Sequence, residues 1–495
     1  MGRIIEKYNI EMEELTGEVE IIESEEREIT YNIKILQPSQ ATSALLDEIR
    51  NSLITEVAIT GTEILERKAL EELKQRFKQK ADTIISELIP NVKPQTKKYL
   101  IGILLNKMLG LDEIEFLIDD PNLEEIVLLS SKEPVRIYHK KYGWLKTNIN
   151  IKTEEQIQNF SNIIARRVGR QITTLNPLLD AHLVTGDRVN ALLYPVSYKG
   201  NTITIRKFAR GPWTVTDFIE NKTCSAEIFT LIWLAVQYEM NILISGGTAS
   251  GKTTMLNICM SFMPPNHRIL SIEDTRELTL PSFLYWSPLI TRQPNPEGKG
   301  EITMLDLLVN SLRMRPDRII LGEMRKKDQA EVLFEAMHTG HSVYATVHAD
   351  SVGETITRLT NPPISVPKNL LSAVNLNVVM FRDRRKGIRR VYQIGEFLSS
   401  QEETATSITP NLIYRWKPEI DQIVPHAKSL RFFENLSRHT GLSQKEINRD
   451  LKEKTNILNE LVKKKIRTIE DIGKIINRYY LDNVRVTKNN KKIKK

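Results

Sequence analysis

The segment Asn241 to Thr254, NILISGGTASGKTT, constrains this chain more than any other. Ile242, Leu243 and Ile244 form a short apolar run, Gly246 to Gly251 a turn of small residues, and Lys252 to Leu256 the start of a helical pattern. The order is strand, phosphate-binding loop, helix, and the spacing G-x-x-x-x-G-K-T is fully met. Glycine lets successive backbone N–H groups turn toward one anion, and the start of the helix adds its partial positive charge. The expected phosphate cradle is therefore Gly246, Gly247, Thr248, Ala249, Ser250, Gly251, Lys252, Thr253 and Thr254, with ATP and Mg²⁺ as cofactors. Lys252 is expected to reach the β- and γ-phosphates, and the Thr253 hydroxyl to ligate the metal.

Around this motif the bulk properties narrow the class. A chain of 495 residues has room for about three domains. Cys224 and Cys259 are the two cysteines and form no Cys-x-x-Cys pair, so neither a disulfide framework nor a cysteine-based zinc site is indicated, and a reducing compartment fits. The longest apolar stretch, Ile228 to Val236, is too short to span a bilayer and reads as a buried helix. The opening MGRIIEKYNIEMEE lacks the apolar core of a secretory signal. The expected location is cytoplasmic, and any work at a membrane is expected to be done from outside the bilayer. The formal charge of +8 is uneven: Glu23, Glu25, Glu26 and Glu28 cluster early, and Arg485, Lys488, Lys491, Lys492, Lys494 and Lys495 close the chain. With no recognisable DNA-binding module, the basic tail reads as a solvated terminus and no specific nucleic-acid binding is expected.

The expected fold class is α/β, a P-loop domain of parallel α/β type preceded by a smaller α/β domain, with helical N- and C-terminal extensions. Residues 1–93 read as a partly helical extension, with a short strand at Tyr31 to Ile35 and a helix over Gly61 to Leu88 that Pro90 and Pro94 end. Residues 94–212 alternate short helices with apolar runs near Ile126, Val135 and Trp144, then a hairpin of Arg188 to Tyr194 and Asn201 to Phe208. Residues 213–223 read as a linker, 224–398 as the P-loop domain, and 399–495 as a helical region with capping boxes at Ser443/Glu446 and Thr468/Asp471.

Ligands in an open parallel sheet sit beyond the carboxyl ends of its strands. Besides Ile242 to Ile244, the expected strands are Ile269 to Ile272, Arg318 to Leu321 and Val343 to Val347, and each ends in polar chemistry. The first runs into Glu273 and Asp274, the second into Gly322-Glu323, and the third into His348 with His341 just before it. Hydrolysis of a nucleotide needs an acid to orient water, carboxylates near the metal's water shell, and cations facing the migrating charge. Glu323 is the expected catalytic acid and, with Thr253, a metal site. Glu273 and Asp274 are placed near Mg²⁺ or its waters, and His341 and His348 as γ-phosphate sensors. Arg188 and Arg206, from the preceding domain, are candidate arginine fingers.

At this point the chain resembles the type II/type IV secretion ATPase superfamily. The resemblance rests on GGTASGKTT, SIEDTREL (Ser271 to Leu278), RMRPDRIILGEMR (Arg313 to Arg325) and TGHSVYATVHAD (Thr339 to Asp350) in that order, preceded by GDRVN (Gly186 to Asn190) and TIRKF (Thr204 to Phe208). It is most similar to the archaeal branch, the archaellum and type IV pilus ATPases. That resemblance implies a ring-forming, hexameric Mg²⁺-dependent ATPase that closes and opens a cleft about Gly211-Pro212. It further implies a RecA-like P-loop domain and, as partner, a polytopic membrane platform protein; the first ninety residues, beyond the shared region, are the expected source of partner specificity. Two other readings stand beside it: a DNA-translocating ATPase, and a nucleotide-gated scaffold with little hydrolysis.

Overall fold

The computed structural model describes residues 2–12, 14–56, 67–183, 185–208, 211–294, 298–401 and 406–493. They divide into two units, Met1–Arg210 and Gly211–Lys495. Among the described residues no helix is long and apolar enough to cross a membrane.

The first unit opens with β1 (Arg3–Met12), β2 (Leu15–Glu23) and β3 (Ile29–Ile35), followed by α1 (Gln40–Glu56), α2 (Arg67–Leu88), α3 (Pro94–Leu109) and α4 (Glu113–Asp119). Then come β4 (Leu123–Leu128), β5 (Arg136–His139), β6 (Gly143–Thr147), α5 (Glu154–Arg167), β7 (Leu178–His182), β8 (Arg188–Leu192) and β9 (Thr202–Arg206). All nine strands share one sheet, ordered β1-β2-β3-β6-β5-β4-β9-β8-β7. The expected boundary at residue 93 is therefore corrected: β3 pairs with β6 through Thr30 and Tyr31, so the opening segment is part of this sheet. Two tyrosines fasten it. Tyr8 and Tyr31 donate to the same carboxylate oxygen of buried Asp120 at 2.7 and 2.8 Å. On the strands themselves Val19 and Ile21 face the core while Glu18 and Glu20 meet Lys7 and Lys34 across the ladder. The expected Gly61 to Leu88 helix appears as α2 from Arg67; its earlier part lies outside the described residues.

The second unit begins with α6 (Val215–Glu220) and α7 (Ala226–Gln237). Residues 213–223 are thus not a free linker. Asp217 accepts the Thr214 N–H at 2.8 Å to start α6, Val215 and Phe218 are buried, and Thr216 donates to the Ile466 carbonyl. Then follow β10 (Ile242–Gly246), α8 (Lys252–Met260), β11 (Arg268–Glu273), β12 (Tyr285–Ile290), α9 (Met304–Ser311), β13 (Arg318–Leu321), α10 (Lys327–His338), β14 (Ser342–Val347) and α11 (Val352–Thr360). The unit closes with β15 (Leu376–Asp383), β16 (Ile388–Gln401), β17 (Thr406–Lys417), β18 (Gln422–Pro425), α12 (Phe432–Thr440), α13 (Gln444–Lys463) and α14 (Ile469–Ile493). Its sheet runs β12-β11-β13-β14-β10-β15-β16-β17-β18.

From β12 to β15 the strands are parallel, and β10, β13 and β14 are buried at every position, as helices on both faces require. β16, β17 and β18 extend the sheet antiparallel, so residues 399–401, 406–417 and 422–425 are strand where a helical region was expected. The two expected C-terminal capping boxes do open α13 and α14. Their apolar stripes pack on α7, where Tyr480 accepts the Trp233 indole N–H at 2.9 Å.

Candidate active site

Parallel strands bring their carboxyl ends to one rim, and here that rim carries the charged residues of four strands. β10 leads into the phosphate loop, whose turn needs backbone that ordinary residues resist: φ is 149° at Gly246 and 97° at Gly251, with Ala249 at 58°. A β-carbon on Gly246 would lie 2.4 Å from the Met380 carbonyl oxygen, so only glycine lets the loop sit on β15. Ser250 closes the turn by donating its hydroxyl to the Gly247 carbonyl at 2.8 Å.

Lys252 folds its ammonium back into this turn, donating to the carbonyls of Gly246 and Gly247 at 2.9 Å each. Burial lowers its pKa, against the pull of Glu323, Asp350 and Glu277. The same ammonium lies 3.3 Å from His348 Nδ1, and His348 Nε2 lies 3.1 Å from Glu323 Oε1. An ammonium can only donate, so Nδ1 accepts; Nε2 then carries the proton and donates to the carboxylate. That tautomer is neutral, in keeping with a His348 pKa lowered by burial and by Lys252.

Glu323 continues the series. Its other oxygen accepts from Arg325 Nη2 at 2.7 Å, and Arg325 Nη1 lies 3.4 Å from Asp274. Although burial raises its pKa, Arg325 leads the groups that bring Glu323 below the usual glutamate range. Lys252, His348, Glu323, Arg325 and Asp274 thus form one connected row from the phosphate loop to the end of β11.

Glu273 lies beside the row and differs from it. It is buried, one oxygen accepting the backbone N–H groups of Glu277 and Leu278, and the other without a partner among the described residues. Burial pushes its pKa up to about 7. Its Cγ is 3.4 Å from where a β-carbon on Gly322 would be, so it abuts the residue preceding Glu323.

The expected site residues therefore separate. Glu323, Asp274, His348 and the loop from Gly246 to Thr254 come together, with Glu273 alongside. His341 does not join them: it precedes β14 while His348 follows it, about 20 Å apart along a six-residue strand. It faces Thr339 instead, at 3.3 Å. Arg188 and Arg206 lie in the first unit, directly opposite each other on β8 and β9, with Arg188 bound to both oxygens of Asp180 at 3.1 and 2.7 Å.

Three further residues touch the site. Arg325 bridges two carboxylates, Asp350 would lie 2.9 Å from a β-carbon on Gly247, and Arg389 donates to the Ala249 carbonyl at 3.1 Å. Arg325 and Asp350 were legible as the ends of their motif segments. Arg389, 140 residues from its partner, has no local signal.

The residues present fit a metal–nucleotide pair. Among the described residues no group of three or more His, Cys, Asp or Glu is placed to hold a metal alone. Mg²⁺ in phosphate-transferring sites is held by one or two protein oxygens together with substrate phosphates, and Thr253 and Glu323 can supply those oxygens. Beside them, the second oxygen of Glu273 is a buried polar atom without a partner among the described residues.

Loop, acid-ended strands and flanking helices define a RecA-like P-loop fold. The chain belongs to the family described as Type II/IV secretion system protein, which matches residues 113–405. An uncharacterized protein of Methanocaldococcus jannaschii is 34% identical over 472 residues, covering 93% of this chain and 83% of that protein. The type IV secretion system protein PtlH of Bordetella pertussis is 31% identical, covering 50% of this chain and 83% of its own. Among solved structures, the VirB11 ATPase of the Brucella suis type IV secretion system, in complex with sulphate, is 24% identical with a TM-score of 0.29, covering 57% of this chain and 91% of that one.

Proposed function

We propose that this chain is a Mg²⁺-dependent ATPase, a subunit of a ring-forming motor that powers assembly of a type IV pilus-like or archaellum-like filament or a related secretion machine. The observation that carries the reading is the connected row Lys252, His348, Glu323, Arg325, Asp274 at the mouth of the phosphate loop. Lys252 donates to the loop's own carbonyls, and phosphate oxygens would take their place. Bound Mg²⁺, held by Thr253 and Glu323, would neutralise phosphate charge. Glu323 orients the attacking water and accepts its proton, a role suited to a carboxylate kept ionised. Neutral His348 joins Lys252 to Glu323, so displacement of the ammonium by phosphate is felt at the acid.

Arg188 and Arg206 supply cations from the first unit, in the same chain or a neighbouring copy, and Gly211-Pro212 is the hinge about which the units move. The expected assembly is a homo-oligomeric ring, a hexamer, on the cytoplasmic face of the membrane, and its partner a polytopic platform protein. The first ninety residues would recognise that partner. Because β1 to β3 belong to the first sheet, this is tested with charge reversals at exposed Glu25 and Glu26, not by deletion.

The test of the activity is phosphate release from ATP by the purified full chain, measured against protein concentration with and without Mg²⁺. Turnover per chain that rises with concentration supports a site completed by a second copy. Release no greater than that of Glu323→Gln would overturn the ATPase reading.

A further inference from the structure

The hairpin joining β15 to β16 is the most basic turn in the second unit. From Arg382 to Arg389 it carries five cationic side chains against one acid. That acid, Asp383, accepts the backbone N–H groups of Arg385 and Lys386 at 2.9 and 3.1 Å, so it shapes the turn. At the tip Arg384, Arg385 and Lys386 are exposed; at the base Arg389 is half-buried against the phosphate loop. Its Nε donates to the Ala249 carbonyl, and its Cδ lies 3.6 Å from where a β-carbon on Gly251 would be. The two terminal nitrogens of Arg389 have no hydrogen-bond partner among the described residues.

Peptide geometry gives this contact a consequence. In a trans peptide the C=O and the following N–H point to opposite sides. Arg389 holds the Ala249 carbonyl on one side of that peptide, so the Ser250 N–H is turned to the other, where it approaches the Gly247 carbonyl at 3.4 Å. Ala249 is also in left-handed backbone, φ 58°, which an L residue rarely adopts.

We infer that Arg389 is a nucleotide-binding residue of the phosphate loop supplied by the same unit. Its Nε fixes the Ala249–Ser250 peptide of the loop, and its terminal N–H groups are donors for the diphosphate moiety shared by nucleoside di- and triphosphates. This rests on the ATPase reading above, and it places a second cation beside Lys252 independently of Arg188 and Arg206. Because the contact is to the loop and not to the row around Glu323, Arg389 acts on affinity more than on the chemical step.

The experiment is titration of the full chain with a fluorescent ADP and a fluorescent non-hydrolysable ATP analogue, together with steady-state turnover. Arg389→Ala is expected to weaken both nucleotides by about tenfold or more, the size of a lost charge-assisted hydrogen bond. KM should rise with it while kcat changes less than threefold, an estimate of about 0.6 kcal/mol or less. Arg389→Lys, which keeps the charge but offers one nitrogen for two jobs, should fall between the two. Arg385→Ala, which removes the same charge at the exposed tip, should bind as wild type. Equal affinity of Arg389→Ala and wild type, or equal weakening by Arg385→Ala, would overturn the inference while leaving the ATPase reading intact. A wild-type chain that binds neither nucleotide would overturn both.

Discussion

The two nine-stranded sheets handle charge by opposite rules. In the second unit, cations and anions from four strand ends are interleaved, so each of Lys252, His348, Glu323, Arg325 and Asp274 has a neighbour of complementary character. In the first unit, two arginines from adjacent strands, Arg188 and Arg206, stand directly opposite each other. Like charges at such a position cost stability. Asp180 relieves one side, and Glu125, opposite Arg206 on β4, the other. The row alternates cation and anion along its length, whereas the two arginines face each other and each has its acid on the outer side, Asp180 on β7 and Glu125 on β4.

The comparison is broken most directly at the arginine pair. An arginine facing a transferring phosphoryl group is worth about 10³-fold or more in turnover. Arg206→Ala should lower kcat by that order, while its melting temperature stays within the equivalent of about 0.5 kcal/mol of wild type, because an exposed, like-charged neighbour has been removed. A large loss of stability with unchanged turnover would make the pair structural. Glu323→Gln attacks the other sheet. It should lower turnover by at least about 10²-fold, as loss of a general base does, while nucleotide binding measured by titration persists. A variant that kept wild-type turnover would move the base elsewhere in the row.

Away from both sites, buried carboxylates show what full satisfaction looks like. Glu396, fully buried on β16, accepts from the backbone N–H groups of Leu430, Arg431 and Phe432, the Ser429 hydroxyl and the Asn411 amide. It thereby pins the start of α12. Glu396→Ala leaves these donors without an acceptor and should cost about 3 kcal/mol in chemical denaturation, against about 1–2 kcal/mol for Tyr31→Phe, which removes one of several donors to Asp120. If Tyr31→Phe costs as much as Glu396→Ala, the opening strands are held more tightly than one hydrogen bond explains.

The sequence exposes these regions unequally, for physical reasons. β10, β13 and β14 are buried on both faces, so they read as unbroken apolar runs, and the polar residue after each run marks the rim. β1 and β2 did not stand out, because Glu18 and Glu20 alternate with Val19 and Ile21 on strands whose charged face is neutralised by Lys7 and Lys34 from neighbouring strands. A local window records the acids and not their distant partners. β17, with Thr406, Ser407 and Thr409 at its start and Pro410 within it, carried no stronger pattern. His341 shows a different limit. Two histidines bracketing one strand look equivalent until the strand's direction assigns them to opposite ends.

The finest distinction lies within the site, between Glu323 and Glu273. Glu323 is held below its ordinary pKa with Arg325 foremost, whereas Glu273 is pushed up to about 7 by burial and has one oxygen without a partner. A carboxyl whose folded pKa exceeds its unfolded value of 4.5 binds more protons in the folded state between the two values. Stability from this group is therefore fully present below about pH 4.5 and is lost as pH rises through about 7, with a slope of at most about 1.4 kcal/mol per pH unit. Glu273→Gln, which stays neutral, should flatten that part of the profile of melting temperature against pH. Glu323→Gln should not, because its folded pKa lies on the other side of the unfolded one. If both variants leave the slope between pH 4.5 and 7 unchanged, the unpartnered oxygen of Glu273 is solvated well enough to ionise normally. The two glutamates would then be equivalent acids, and the division between a working carboxylate and a buried reserve would disappear.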